Sequence, residues 1–198
     1  MNSPPAPRSA APILHIDRCE RGTRANVAPI RGTHHKCGSV YVAPIEQVSF
    51  NDPDIKAQYE TFPSPDGHGE GRGYLVVPTS VTEPTGVVLV VHENRGLNPY
   101  IKDVARRVAK AGFVAFAPDA LHPVGGYPGN DDEGRALQRS LDRAKIELDM
   151  IAAARFLRAH SLCNGRLGVV GFCFGGYITN MLAATLPDLV NAGVPFYG

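Results

Sequence analysis

The strongest constraint on this fold is a glycine-flanked cysteine that lies between a short apolar run and a helical pattern. The hexapeptide reads Gly171-Phe172-Cys173-Phe174-Gly175-Gly176, with the apolar run at residues 166–170 and the helical pattern at 177–186. A cysteine on a sharp turn from a buried strand into a helix has the arrangement of a nucleophile elbow, with Cys in place of Ser. The pattern therefore predicts that Cys173 stands in a strained backbone conformation at the start of a helix.

The flanking residues give the physical reasons for this spacing. Chain segments before and after such a turn pass close together, so side chains at Gly171 and Gly175 would collide with neighbouring atoms. The helix starts beneath the sulfur, and its free N–H groups favour a thiolate over a thiol. The backbone N–H of Phe174 points to where an oxyanion would form. The hexapeptide therefore indicates nucleophilic catalysis by Cys173.

Two other interpretations of the hexapeptide stay open. One is a buried structural cysteine in a glycine-rich helix start. The other is a dinucleotide-binding turn, whose pattern is G-x-G-x-x-G with an acidic residue at the end of the next strand. Cys173 replaces the middle glycine of that pattern, and the strand before it is not the first of the sheet. The nucleophile elbow is therefore the favoured interpretation.

The chain after residue 48 alternates short apolar runs with helical patterns. Strands are predicted at 59–62, 74–77, 87–91, 113–117, 166–170 and 190–196. Helices are predicted at 98–112, 137–151 and 177–186, with a long polar loop at 118–134 that is typical of a lid or binding loop. Turn-forming residues at 65–69 predict a hairpin of the first two strands. The rest predicts an α/β fold, a mostly parallel sheet with helices on both faces.

Composition argues against several classes of partner. The net charge is +1, which favours neither nucleic acid nor a membrane surface. No stretch approaches 18 uninterrupted apolar residues, and the first thirty residues lack the apolar core of a secretory signal. The four cysteines, Cys19, Cys37, Cys163 and Cys173, are interpreted as free thiols in a reducing compartment. We expect a cytoplasmic protein without nucleic-acid or membrane partners.

Residues 1–47 differ from the rest of the chain. They are rich in proline and show no apolar period of a strand or helix, so we expect a disordered or non-domain segment before a domain at 48–198. His34, His35 and Cys37 could suggest a metal site together with Cys19. Their spacing matches no zinc pattern, so no metal site is expected.

Four sequence segments carry a resemblance to a known family. They are His92-Glu93-Asn94-Arg95-Gly96, Ala117-Pro118-Asp119, the cysteine hexapeptide, and Val194-Pro195-Phe196-Tyr197-Gly198. In this order, over roughly residues 48–198, the chain resembles the dienelactone hydrolases, which have the α/β-hydrolase fold. The resemblance implies a hydrolase of lactones or other carboxylic esters that needs no cofactor, with a small-molecule substrate as its partner. The oligomeric state is left open.

The resemblance also implies roles for individual residues. Cys173 would attack the carbonyl carbon and form an acyl-enzyme, and Glu93 would hold the resting thiol and help to deprotonate it. The backbone N–H groups of Asn94 and Phe174 would bind the oxyanion. No arginine aligns with the family's substrate-carboxylate residue, where this chain has Leu121-His122-Pro123. Dienelactone itself is therefore a doubtful substrate, and Arg95 is the candidate for binding an anionic group.

The order of catalytic residues in this fold raises a further expectation. The nucleophile is followed by Asp or Glu and then by His, but no histidine follows Cys173. His92 and His122 are the only histidines near the predicted active face. We expect the N-terminal two-thirds of the domain, incomplete at its C-terminus, poorly stable and at most weakly active. The alternatives are an inactive pseudoenzyme or fragment with a small-molecule pocket, and a split protein completed by another chain.

Overall fold

The computed structural model describes residues 46–198, which form a six-stranded sheet with four α-helices. The strands are β1 Ile55–Ser64, β2 Gly69–Pro78, β3 Thr85–Val91, β4 Val114–Pro118, β5 Cys163–Phe172 and β6 Val190–Phe196. The helices are α1 Pro99–Lys110, α2 Asp131–Ser140, α3 Arg143–Ala159 and α4 Phe174–Thr185, with a short 3-10 turn at His122–Val124. The strand order is β1-β2-β4-β3-β5-β6.

The sheet is antiparallel at one side and parallel through the rest. β1 and β2 form the predicted hairpin, and β2 also pairs antiparallel with β4. The β3 strand pairs parallel with β4 and β5, and β5 pairs parallel with β6. The carboxyl ends of β3, β5 and β6 therefore meet at one edge of the sheet, where ligands bind in open α/β folds.

Helices pack on both faces of the sheet, as predicted, although β6 is largely exposed. On one face, α1 buries Ile101 and Ala105 against sheet residues such as Val90. On the other face, α3 and α4 bury Met150 and Ile178 in a second apolar cluster. Full burial of such a side chain contributes about 1.5–3 kcal/mol to folding. The two clusters hold the sheet between helix layers, which confirms the α/β-hydrolase architecture.

A buried carboxylate joins the hairpin to α3. Asp149 accepts hydrogen bonds from the Ser64 hydroxyl at 2.6 Å and from the backbone N–H of His68 at 3.0 Å. The Nδ1 atom of His68 lies 2.5 Å from the other oxygen of Asp149. The turn that the sequence marks only as a hairpin is thus fixed to the helix layer.

The prediction of one long helix at 137–151 is wrong, because two helices occupy this part of the chain. α2 ends at Ser140 and α3 starts at Arg143. Leu141 is extended, and the side chain of Asp142 accepts from the backbone N–H of Ala144 as the N-cap of α3. Asp is a favoured N-cap, so this break carried a local signal that the continuous apolar stripe concealed.

Two predicted helix starts are also too late. α2 starts at Asp131, inside the predicted loop, because Asn130 caps it with hydrogen bonds from the N–H groups of Asp132 and Glu133. α4 starts at Phe174 and not at Tyr177, immediately after the cysteine. The glycines that follow Cys173 therefore lie within the helix.

Some expectations concern parts that the structure does not describe. The interpretation of residues 1–45, and of Cys19 and Cys37, lies outside the described residues. The start of the domain at residue 48 stays a prediction, although the backbone N–H groups of Gln47 and Val48 both donate to Asp103 on α1. In the described part of the chain, every helix is too short or too polar to cross a membrane.

Candidate active site

Cys173 occupies a strained turn at the carboxyl end of β5. Its φ of 53° and ψ of −114° lie in a region that L residues rarely adopt, and it directly precedes α4. Its backbone N–H donates to the carbonyl of Phe196 at 3.0 Å, and its carbonyl accepts from the N–H of Tyr177 at 3.1 Å. Both β6 and α4 therefore hold the backbone at this position.

The glycines around Cys173 have the close contacts that the sequence predicts. A Cβ atom at Gly171 would collide with the carbonyl group of Gly175. A Cβ atom at Gly175 would in turn collide with the carbonyl oxygen of Val91, the last residue of β3. The start of α4 thus packs directly against both β5 and β3. This packing brings the cysteine turn next to the loop at residues 92–96.

Two backbone N–H groups lie unused beside this turn. Neither the N–H of Asn94 nor that of Phe174 donates to an acceptor within residues 46–198. One belongs to the loop after β3 and the other to the first residue of α4. Unpaired N–H groups at a helix start can bind an anionic oxygen.

Glu93 follows β3 and has two partners. Its Oε1 accepts from the Tyr197 hydroxyl at 2.9 Å, and its Oε2 lies 3.4 Å from Nε of Arg95. The hydrogen bond to Glu93, with smaller effects of desolvation and of the negative charge of Glu93, raises the pKa of Tyr197 to about 12. Tyr197 thus stays protonated and remains a donor to Glu93. The sequence analysis quoted Tyr197 within a motif but gave it no role.

Arg95 is hydrogen-bonded to the first residue of α2. Its Nη1 donates to Asp131 at 2.8 Å, and Asp131 also accepts from the Tyr127 hydroxyl at 2.8 Å and from Nδ2 of Asn98 at 3.3 Å. Burial alone would raise the pKa of Asp131, but these three hydrogen bonds together hold it below its ordinary value. Burial and the bond to Asp131 raise the pKa of Tyr127 to about 12. Sequence reasoning gave neither Asp131 nor Tyr127 a role in the site.

The two histidines on this face are engaged elsewhere. His92 is fully buried; its Nδ1 contacts the carbonyl oxygen of Glu93 at 2.5 Å and its Nε2 accepts from the N–H of Ala120 at 3.1 Å. Burial lowers the pKa of His92, so its neutral form is favoured. His122 lies 3.6 Å from Glu70. In residues 46–198 neither imidazole is placed as a base beside Cys173.

A cavity of about 230 Å³ borders the turn. Asn94 and Phe174 line the cavity, and the end of α2 and the start of α3 contribute the other lining residues: Gln138, Arg139, Leu141, Arg143 and Ile146. The volume suits a small organic group. Within the described residues, no group of three or more His, Cys, Asp or Glu side chains could hold a metal ion.

Sequence comparisons with known proteins indicate the family of this chain. The sequence model described as the dienelactone hydrolase family matches residues 72–198. A protein of Escherichia coli strain K12 that is named as a hydrolase fragment, YghX, is 68% identical over 96 residues, covering 48% of this chain and 82% of that protein. A Bradyrhizobium protein that is named as a 2-oxo-3-(5-oxofuran-2-ylidene)propanoate lactonase is 40% identical over 135 residues, covering 66% and 53%.

Comparison with solved structures indicates the same family. A crystal structure assigned as a dienelactone hydrolase from Klebsiella pneumoniae superposes with a TM-score of 0.60 at 29% identity, covering 73% of this chain and 60% of that chain. Apart from YghX, the chain spans about half the length of the curated relatives it matches, for example 56% of the protein usf of Aquifex pyrophilus. Activities of those longer proteins therefore apply to this chain only as proposals.

Proposed function

The chain belongs to the dienelactone hydrolase family, and we propose that it cleaves a lactone or another carboxylic ester through an acyl-enzyme on Cys173. The observation that carries the proposal is the position of Cys173. It has a strained backbone conformation and directly precedes the N-terminus of α4, and Glu93 follows the neighbouring strand β3. The positive end of a helix favours thiolate, which is the reactive form of cysteine.

The proposed reaction has two steps. The Cys173 sulfur forms a bond to the carbonyl carbon, and the carbonyl π electrons move to oxygen, where the N–H groups of Asn94 and Phe174 bind the anion. The carbonyl re-forms as the C–O bond to the alcohol breaks, and the alkoxide takes from Glu93 the proton that the thiol gave up. Water then attacks the thioester, which releases the acid and restores the thiol.

Glu93 is proposed to hold the resting thiol and to accept its proton. Tyr197 donates to one oxygen of this carboxylate and Arg95 lies beside the other, so the side chain has a fixed orientation. The earlier candidate role of Arg95, binding an anionic substrate group, stays a proposal. Its guanidinium already contacts Asp131 and Glu93, and their negative charges offset its attraction for an anionic ligand.

We further propose that turnover by these residues alone is slow. General-base catalysis by an imidazole contributes about 10²–10⁴-fold to rate, and His92 and His122 are engaged elsewhere. Acylation should then outrun deacylation. The cavity beside Asn94 and Phe174 is the proposed site for the acyl or alcohol group.

We also propose a cytoplasmic location, because Cys163 and Cys173 are free thiols.

The test is esterolysis of p-nitrophenyl acetate and of the lactone dihydrocoumarin by purified chain. Cys173→Ala should remove the enzyme-dependent rate, Glu93→Gln should slow it at least about tenfold, and Cys163→Ala should match wild type. Circular dichroism checks that each variant is folded. An unchanged rate in folded Cys173→Ala would overturn the proposed nucleophile. Fast, sustained turnover by wild type would overturn the proposed impairment.

The alternative is an inactive chain that keeps a small-molecule pocket, favoured because His92 and His122, the two histidines on this face within residues 46–198, have other partners. It predicts that Cys173 is alkylated no faster than Cys163.

A further inference from the structure

One buried polar side chain in the cavity beside the cysteine turn has an atom without a partner. Gln138 on α2 is 7% exposed and lines the same cavity as Asn94 and Phe174. Its Oε1 has no hydrogen-bond donor within residues 46–198. Every other buried polar side chain in this part of the chain makes at least one hydrogen bond. A buried acceptor without a donor destabilises the fold, so packing alone does not account for Gln138.

The charges of the cavity limit which ligand group can pair with this oxygen. Arg139 and Arg143 also line the cavity, and its lining residues in the described chain include no carboxylate. A protonated amine could donate to Oε1 of Gln138, but both guanidinium groups would repel it. A carboxylate only accepts hydrogen bonds, so it would leave Oε1 unpaired. A hydroxyl is neutral and can pair with either end of the amide, so it meets both conditions.

The proposed reaction itself produces such a hydroxyl when the ester is a lactone. The sulfur of Cys173 bonds to the carbonyl carbon, the ring C–O bond breaks, and the ring oxygen takes the proton that the thiol gave up. The new hydroxyl stays attached to the acyl group. It can therefore attack the thioester carbonyl, return the proton to sulfur and close the lactone again. Reactions between two ends of one bound group are strongly favoured over their bimolecular counterparts, so this return competes with hydrolysis.

We propose that Gln138 is a substrate-binding residue that holds the hydroxyl released by lactone opening. The inference rests on the proposed function, because it needs an acyl-enzyme on Cys173. The hydrogen bond stabilises the opened acyl group and slows its return to the lactone while water attacks the thioester. The apolar side chains of Leu141 and Ile146, which also line the cavity, are suited to the carbon chain between the two ends.

The test compares two acyl groups that differ only by this hydroxyl. Dihydrocoumarin leaves a hydroxyphenylpropanoyl group on Cys173, and p-nitrophenyl hydrocinnamate leaves the same chain without the hydroxyl. Peptide mass spectrometry measures the fraction of Cys173 that carries each group once the fraction is constant. In Gln138→Leu the hydroxylated adduct should fall about tenfold relative to the other adduct, which is roughly the effect of one hydrogen bond.

Two further variants and a melting curve serve as controls. Gln138→Glu keeps an acceptor at this position and should keep most of the wild-type ratio of the two adducts. Asp132→Asn changes an exposed residue of α2 that pairs with Arg135, and it should leave the ratio unchanged. Gln138→Leu should melt no lower than wild type, because it removes an unpaired buried acceptor.

The outcomes separate this inference from the proposed function. An unchanged ratio in folded Gln138→Leu, or an equal fall of both adducts, would overturn the inference and leave Cys173 as the proposed nucleophile. A lower melting temperature with an unchanged ratio would show that Gln138 has a structural role instead. If wild-type Cys173 carries neither adduct, the proposed function itself is wrong and the inference falls with it.

Discussion

At the scale of single residues, the site depends on backbone positions that only glycine can occupy. Cys173 adopts a positive φ, and Gly171 and Gly175 on either side of it lie against carbonyl groups with no room for a methyl group. Backbone atoms cannot move aside as a flexible side chain can. The strained turn is therefore maintained by its neighbours and not by the cysteine itself.

Substitution at Gly171 should be severe for this reason. We expect Gly171→Ala to lower the free energy of unfolding by about 2–4 kcal/mol, because the new methyl group meets the carbonyl of Gly175. Gly168→Ala, in the same strand, is the matched control; its nearest neighbour is a side-chain carbon of Val88 at 3.7 Å, and it should change stability little. Urea denaturation measures both. Equal stabilities for the two variants would contradict the packing argument.

Sequence reasoning identified residues of the site that follow strands in a recognisable motif, and it missed those that reach the site from afar. Cys173 and Glu93 each follow an apolar run that predicts a buried strand. Tyr197 contacts Glu93 from 104 positions away, and Asp131 contacts Arg95 from 36 positions away. Only the packing of loops against each other brings these pairs together, and no local pattern encodes it.

At the scale of elements, the two ends of the sheet are held by different means. Of the parallel strands, β6 is largely exposed, whereas the β1–β2 hairpin adds Phe62 to one apolar cluster and Tyr74 to the other and is attached to α3 through Asp149. Hairpin and strand types were predictable from apolar runs and turn residues. The break between α2 and α3 was not, because the apolar stripe continues across it while Asp142 caps the second helix.

Removing the Asp149 carboxylate should loosen the hairpin. Asp149→Ala leaves buried Ser64 and half-buried His68 without their acceptor, so we expect a loss of about 3 kcal/mol in the free energy of unfolding. Lys145→Ala, at an exposed position of the same helix, is the control and should be nearly neutral. Hydrogen exchange should rise first in β1 and β2. A loss below about 1 kcal/mol would show that apolar packing alone holds the hairpin.

At the scale of the whole molecule, one edge of the sheet collects the reactive groups. Glu93 follows β3, Cys173 follows β5 and Tyr197 follows β6, and these three strands are parallel neighbours. The alternation of strands and helices in the sequence predicts this convergence, since carboxyl ends of parallel strands share an edge. The topology therefore explains why residues so distant in sequence form one site.

The central claim is that Cys173 is the group that carries the acyl intermediate. The most direct measurement is mass spectrometry of the chain after brief exposure to p-nitrophenyl acetate, with peptide mapping of the product. The account predicts one acetyl group on Cys173, formed faster than it is lost, and none at this site in Cys173→Ala. An acetyl group on another residue, or none while p-nitrophenol is still released equally by both proteins, would contradict it.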